Sequence, residues 1–285
     1  MSVVPSRIRV VTDTTAVLPP EFVAAHSIEV IPQIVRFGEA AFLEDVELSY
    51  GDFIRRLKSS GQLPKTSAPP PGAFVDVYAH LLTEAQTILS IHPSLDVSAT
   101  VQSALTAKGD SFPDADIRVI DTRTVAGNLA TLVMLAVEWA ESGVEVDEIV
   151  NRLQAMIPRG RVYFLVATLE YLHKGGRIGG ASALISSTLQ IKPILEIKNG
   201  HVEAKEKVRT HRRAFERLKD LAIEQCPRSS SAHLCVMHAD DLDEAQRLAG
   251  DLKSALGIEH IPIYGAGASI TTHAGPRTLA VGFFA

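Results

Sequence analysis

The chain has 285 residues, of which 46% are hydrophobic, and a formal net charge of −5. This length allows one large domain or two ordinary ones, and the acidic balance argues against a general nucleic-acid binder, which is usually basic. No apolar run approaches the roughly 20 residues of a membrane span, so no membrane insertion is expected, and the N-terminus shows no signal-peptide pattern. The only cysteines, Cys226 and Cys235, indicate reduced thiols in a cytoplasmic protein.

The first half of the chain alternates short β-branched runs with helical patterns. The predicted strands are 7–11, 28–35, 87–91 and 117–121, and the predicted helices start at Pro19-Pro20-Glu21 and cover 50–59, 74–84, 98–108 and 128–142, with a loop at 65–72. This alternation predicts a mostly parallel sheet covered by helices on both faces. The polar loops after these strands should therefore lie along one rim, where open α/β sheets bind ligands.

The second half of the chain has a different pattern. Predicted strands cover 161–167, 233–238 and 279–284, a hairpin joins 194–198 to 201–208 around Asn199-Gly200, and helices cover 214–225 and 242–255. A hairpin combined with βα units predicts a mixed sheet. We therefore expect an α/β protein of two domains, a three-layer α/β/α domain at 1–158 and an α/β domain with a mixed sheet at 159–285.

The segment 168–193 holds the densest cluster of glycines, Gly175-Gly176-Arg177-Ile178-Gly179-Gly180. Such a loop lets backbone N–H groups approach an anion, with Arg177 as its counter-charge. Arg177 in a structural salt bridge explains the same residues equally well. The small residues of the helix predicted at 181–189 either pack closely or leave room for an apolar ligand.

Hydroxyl groups on loops are the next candidates. Thr66-Ser67 precedes three prolines, and Ser98 and Thr100 stand at a predicted helix start. Each side chain is suited either to binding an anion or to capping a turn or a helix. The same two interpretations apply to Asp13-Thr14-Thr15 and Asp121-Thr122, which follow strands.

Two basic features lie near the C-terminus. The cluster 209–213, RTHRR, is either a solvated helix start or a patch for an acidic partner or a phosphate. His273 is predicted on the glycine-proline loop 271–276, where a lone histidine is usually a surface residue. The chain contains no phosphate loop, no HExxH and no GxSxG elbow, and its ten histidines lack metal-ligand spacing, so no metal site is expected.

These motifs, in their order and spacing, closely resemble the DegV family of bacterial fatty-acid-binding proteins along essentially the whole chain. The chain departs from the family pattern at Ala68, where Gln is usual, at Ala99 and Val101, where Gly and Tyr are usual, and at Arg277, where Gly is common. The matching segments are Thr12-Asp13-Thr14, Thr66-Ser67, Ser98-Ala99-Thr100-Val101-Gln102-Ser103-Ala104, Asp121-Thr122, Leu169-Glu170-Tyr171-Leu172 through Ile178, Ile191-Lys192-Pro193, Arg209-Thr210 and His273-Ala274-Gly275-Pro276.

The resemblance implies a long-chain fatty acid buried between the two domains, and no other cofactor. Thr66 and Ser98 would bind the carboxylate, supported by Arg177. Arg209 and His273 would lie at the mouth, where a fatty acid kinase related to dihydroxyacetone kinases forms acyl phosphate for phospholipid synthesis. Secondary pocket candidates are Asp13, Thr14, Ala99 and Gly176. The chain itself is then a binding subunit and not an enzyme.

Two other functions remain open from the residues. Ser98 and His273, with Asp13 or Asp121, would form the triad of an acyl ester hydrolase, although the nucleophile elbow is missing. Alternatively, the basic cluster 209–213 would make the chain a lipid-responsive regulatory protein that binds another protein.

Overall fold

The computed structural model describes residues 8–185 and 192–285. The strands of the N-terminal half are β1 (Ile8–Asp13), β2 (Glu29–Ile31), β3 (Ile34–Phe37), β4 (Ala40–Leu43), β5 (Lys65–Ser67), β6 (Thr87–His92) and β7 (Asp116–Asp121). Its α-helices are α1 (Pro20–Ala25), α2 (Tyr50–Ser59), α3 (Pro71–Leu81), α4 (Thr100–Ser111), α5 (Ala126–Glu141) and α6 (Val146–Met156).

Four of these strands form a parallel sheet in the order β2-β1-β6-β7. Helices α3 and α4 pack Phe74, Tyr78 and Ala104 on one face of the sheet, and α5 and α6 cover the other face. Every residue of β6 is buried, because parallel strands between two helical layers meet no solvent. The predicted three-layer arrangement is confirmed, and α6 is a helix that was not predicted.

A second, antiparallel sheet has the order β4-β3-β5. It corrects two predictions, because the strand expected at 28–35 is two strands in different sheets, and the loop expected at 65–72 opens with β5. Pro32 lies between β2 and β3, where a residue without an N–H cannot continue a ladder. Thr66 is therefore held in register opposite Val35 of β3.

The strands of the C-terminal half are β8 (Gly160–Leu165), β9 (Ile194–Lys198), β10 (His201–Glu206), β11 (Cys235–Ala239), β12 (Ile263–Gly265) and β13 (Thr278–Phe284). Its α-helices are α7 (Glu170–Lys174), α8 (His211–Gln225), α9 (Leu242–Leu256) and α10 (Ala268–Ala274). The strands form one mixed sheet in the order β10-β9-β8-β13-β11-β12. The predicted hairpin is confirmed, and Asn199 and Gly200 both have the positive φ that a type I′ turn requires.

The two faces of the mixed sheet have different partners. Helices α8 and α9 cover the outer face, where Phe215 and Leu248 belong to the core. The inner face turns toward α5, which packs between the two large sheets. The packing is close at Gly127 of α5, because a Cβ there would lie 2.5 Å from Sγ of Cys235. Asn128 of α5 donates to the carbonyls of Arg161 and Phe283. These contacts fix the parallel sheet relative to the mixed sheet.

Two predictions near the expected site need correction or limitation. His273 does not lie on a loop, because 268–274 form α10, which ends at Gly275 with a φ of +82°. Of the helix expected at 181–189, residues up to Leu184 belong to a 3₁₀ helix (Gly179–Leu184), and the part from 186 onward lies outside the described residues. In the described ranges, no helix has the length and apolarity needed to cross a membrane.

Candidate functional site

A cavity of about 350 Å³ lies between the carboxyl ends of the parallel strands and the inner face of the mixed sheet. The loops after β1, β2, β6 and β7 contribute Thr15, Gln33, Ser98 and Val125 to its wall. The sequence predicted such a rim, and the loops after β1, β6 and β7 lie on it as expected, since the carboxyl ends of parallel strands share one edge. The loop after β2 takes the place of the loop expected after Val35, because Val35 belongs to β3 of the antiparallel sheet.

The opposite wall of the cavity is apolar. Because successive side chains of a strand point to opposite faces, strands β8, β9, β11 and β13 place some residues here and others in the outer core. The wall is built by Val162, Phe164, Ile197, Val202, Met237 and Ala280, with Leu172 and Ile270 beside them. The cavity thus has one polar end and one hydrocarbon-like side.

The polar end brings together the residues expected to bind a head group. Thr66, Ser98, Arg177 and His273 all line the cavity, although they come from four separate segments, and Ala99 lines it beside Ser98. The Oγ1 atom of Thr66 lies 2.6 Å from Nε2 of His273. The Oγ atom of Ser98 lies 2.8 Å from Oγ1 of Thr100, at the start of α4.

Arg177 is held by backbone carbonyls. Its Nε donates to the carbonyl of Val97 at 3.0 Å and its Nη1 to that of Gly175 at 2.8 Å. Burial lowers the pKa of Arg177, but a guanidinium remains charged at any ordinary pH. Within the described residues no carboxylate pairs with Arg177. The geometry there therefore does not show the structural salt bridge that was the alternative explanation.

His273 was expected at an exposed mouth, but its side chain is mostly buried. Burial, followed by the nearby charge of Arg177, lowers its pKa to about 4, so the imidazole is neutral at neutral pH. Its Nδ1 has no hydrogen-bond partner among the described residues and faces Gly175, where a Cβ would lie 2.4 Å from it. A neutral ring at this place leaves Arg177 as the one charged side chain among the described lining residues.

Three predicted secondary pocket residues do not line the cavity. Asp13 is fully buried beneath it, where its carboxylate faces donors from Thr15, Gln33 and His92. Thr14 donates instead to the buried carboxylate of Glu44. Gly176 occupies a turn with φ +71°. All three support neighbouring segments rather than contact the cavity.

Arg209 also lies away from the cavity lining. It is exposed just before the first turn of α8, and Arg212 and Arg213 within that turn are exposed as well. In the described part of the chain none of the three has a carboxylate partner. Cations are unfavourable at a helix N-terminus, which carries partial positive charge.

Gln33, which was not predicted as a site residue, is 3% exposed and lines the cavity. Its Nε2 is shared between Oδ1 of Asp13 at 3.0 Å and Oγ1 of Thr100 at 2.9 Å. Its position directly after Pro32 was the available signal, because that proline ends β2 and so places Gln33 in a rim loop.

The hydrolase triad is not assembled. His273 pairs with Thr66, Ser98 pairs with Thr100, and Asp13 pairs with His92 at 2.7 Å. Asp121 accepts from backbone N–H groups, including that of Arg123. Among the described residues there is also no cluster of three His, Cys, Asp or Glu side chains that could hold a metal ion.

Comparison with known proteins agrees with this architecture. A solved structure described as fatty acid binding of a DegV family protein from Thermus thermophilus superimposes with a TM-score of 0.89 at 31% identity, covering 98% of this chain and 99% of that one. DegV of Bacillus subtilis, titled a fatty acid binding protein, superimposes with a TM-score of 0.88 at 32% identity, covering 98% and 100%.

Sequence comparison reaches the same family. A DegV domain-containing protein of Halalkalibacterium halodurans is 35% identical over 98% of this chain and 99% of its own length. The family model described as "Uncharacterised protein, DegV family" matches residues 7–285. The chain therefore belongs to the DegV family.

Proposed function

We propose that this protein binds a long-chain fatty acid in the cavity and presents its carboxylate to a partner fatty acid kinase, without catalysing a reaction itself. The domains would be 1–158 and 159–285, with the ligand between them. The observation that carries the proposal is a cavity with an apolar wall and a polar end holding Thr66, Ser98 and Arg177, which has no carboxylate partner among the described residues. Relatives titled fatty acid binding share this fold over nearly the whole chain.

The head-group end suits a single negative charge. A buried carboxylate must be fully hydrogen-bonded, and bonds from hydroxyls and a guanidinium to an ionised oxygen are the strong ones. The Nε and Nη1 atoms of Arg177 each donate to a backbone carbonyl, which orients the guanidinium. Within the described residues its other N–H groups remain for a ligand. One cation and two hydroxyls match a carboxylate better than a phosphate.

The apolar wall supplies the affinity. Burying about 14 methylenes of a C16 chain at ~0.8 kcal/mol each yields roughly 11 kcal/mol. Association costs several kcal/mol of this, which leaves about micromolar or tighter binding. The head-group residues then fix orientation more than they add affinity.

We propose that the partner kinase docks at the start of α8. Arg209, Arg212 and Arg213 are exposed cations, unpaired in the described structure, at a helix end that disfavours positive charge. An acidic surface on a kinase would relieve this repulsion. His273 would act from inside the cavity, through Thr66, rather than at the mouth.

Ligand binding is tested by mass spectrometry of the freshly purified, denatured protein, which should release a C14–C18 fatty acid. The double variant Thr66→Ala/Ser98→Ala should keep the fold and retain at least about tenfold less lipid, since the loss of even one hydrogen bond to a charged group costs about 1.5–3 kcal/mol. Thr83→Ala/Ser59→Ala, which changes exposed hydroxyls elsewhere, is the matched control. Absence of bound lipid together with no uptake of added acids would overturn the proposal.

Docking is tested with Arg209→Glu/Arg213→Glu. This variant should retain fatty acid but slow acyl phosphate formation by a kinase of the dihydroxyacetone-kinase-like class by more than about tenfold. Arg55→Glu/Arg228→Glu alters charge on other parts of the surface and should not slow it. Equal rates in the two double variants would remove the start of α8 from this role.

A further inference from the structure

A buried chain of hydrogen bonds runs from Asp13 to Ser98 at the cavity. Oδ1 of Asp13 accepts the backbone N–H of Thr15 at 3.1 Å. Since Oδ1 is an acceptor there, the atom of Gln33 that faces it at 3.0 Å must be the amide nitrogen. The orientation of the Gln33 amide is thus determined by its surroundings.

The same amide nitrogen determines the roles of the next two hydroxyls. Its second hydrogen is directed at Oγ1 of Thr100, 2.9 Å away, so Thr100 accepts from Gln33. The hydroxyls of Thr100 and Ser98 lie 2.8 Å apart, a distance that fits either of them as the donor. Thr100 is fully buried, and besides Gln33 the polar group within hydrogen-bond distance of its hydroxyl among the described residues is Ser98, so the hydrogen of Thr100 is directed there. The Thr100 N–H approaches the same Ser98 oxygen at 3.3 Å. With its acceptor positions occupied, Ser98 has its hydroxyl hydrogen left for the cavity.

We infer that Gln33 is a positioning residue that makes Ser98 an obligate hydrogen-bond donor, so that the cavity selects acceptor-only carboxylates over fatty alcohols of the same length. The inference rests on the proposed function and specifies its ligand class. A carboxylate has only acceptor atoms and satisfies every donor that it meets. An alcohol also carries a hydrogen, which a site of oriented donors leaves unpaired, and a buried unpaired polar group is costly.

The direction of the chain is protected by its burial. Asp13 and Thr100 are fully buried, Gln33 is 3% exposed, and Gln33 and Ser98 meet the cavity. Below Asp13 the chain continues through His92, whose Nδ1 lies 2.7 Å from Oδ2 of Asp13 and whose Nε2 lies 2.7 Å from Ser90. Water therefore has little access to these hydrogen bonds, and the direction of each donor is kept.

The test compares the binding of palmitic acid and hexadecan-1-ol to protein from which bound lipid has been removed. Gln33→Leu frees the Thr100 and Ser98 hydroxyls to turn, so affinity for the acid should fall about tenfold, the effect of one charge-assisted hydrogen bond, while affinity for the alcohol changes less than about twofold. Thr100→Val should reproduce this change in the acid-to-alcohol ratio, and Thr100→Ser, which keeps the hydroxyl, should restore it. Gln102→Leu on the exposed side of α4 is the matched control.

Each outcome has a distinct meaning. An equal loss of acid and alcohol in Gln33→Leu and Thr100→Val would mean that these residues only hold the fold, and an unchanged ratio with unchanged affinities would mean that the chain does not control Ser98. Either result overturns the inference while leaving fatty acid binding intact. A wild-type protein that binds neither ligand would overturn the proposed function, and the inference with it.

Discussion

The buried imidazole of His273 should make the protein lose stability in mildly acidic solution. The ordinary pKa of 6.5 falls to about 4 in the folded protein because of burial and the charge of Arg177. Between these two values the unfolded chain binds more protons than the folded chain. Stability is therefore fully present above pH 6.5 and falls as the pH falls toward 4.

The size of the effect follows from the two pKa values. Linkage gives a loss of about 2 kcal/mol at pH 5 and about 3 kcal/mol at pH 4 relative to neutral pH, as an order of magnitude. This is a large part of the roughly 5–15 kcal/mol that stabilises an ordinary domain. The loss belongs to the lipid-free protein, since a bound anion would offset the charge of Arg177.

Urea unfolding of lipid-free protein at several pH values provides the assay, with His273→Gln as the comparison. Gln keeps an amide N–H for Thr66 but does not titrate, so other acid-sensitive groups cancel in the difference between the two proteins. The difference in unfolding free energy should change by about 3 kcal/mol between pH 7 and pH 4, in favour of the variant at low pH. Parallel pH profiles of the two proteins would refute the reasoning.

Two further predictions concern backbone positions near this site. Gly175→Ala would place a Cβ 2.4 Å from Nδ1 of His273, so it should destabilise the protein by about 1–3 kcal/mol and reduce lipid retention. Gly72→Ala in α3 is the control, because a Cβ there meets no atom within 4 Å and should have neither effect. Equal melting temperatures of the two variants would contradict this prediction. Arg277 has a φ of +61°, so Arg277→Gly should stabilise the protein by about 0.5–1 kcal/mol, while Arg277→Ala, which keeps the Cβ, should not; urea midpoints would show whether the two variants differ.

The sequence predicted the parts of the site that local patterns determine. Strand–helix alternation places the loops after β1, β6 and β7 on one rim, whatever their detailed geometry. The family resemblance then singled out Thr66, Ser98 and Arg177, and all three line one cavity. These residues are readable because each sits in a short motif whose spacing is set by its own strand or loop.

Other parts of the site depend on contacts between distant segments. Gln33 meets Asp13 across 20 positions of sequence and Thr100 across 67, and neither distance is encoded by a local period. The burial of His273 depends on packing against Gly175, nearly a hundred residues earlier, so a Thr-rich run before Gly-Pro was interpreted as a surface loop. For Asp13 and Thr14 the residues left both ligand binding and capping open, because a position at a strand end does not show which way a side chain is bonded. The structure shows capping for Asp13, which accepts from the N–H of Thr15.

The charges at the polar end explain why a neutral His273 occurs together with an Arg177 that no carboxylate of the described residues neutralises. Both lie in the same low-dielectric pocket, where two adjacent positive charges would repel strongly, and the charge of Arg177 is one cause of the lowered pKa of His273. The pocket therefore offers one positive charge and oriented neutral donors, which is the complement of a monoanion. A ligand carboxylate would pair with Arg177, remove part of that repulsion and raise the pKa of His273 from about 4. Fatty acid binding should accordingly be coupled to proton uptake in mildly acidic solution, and that coupling links the pH dependence of stability to occupancy of the cavity.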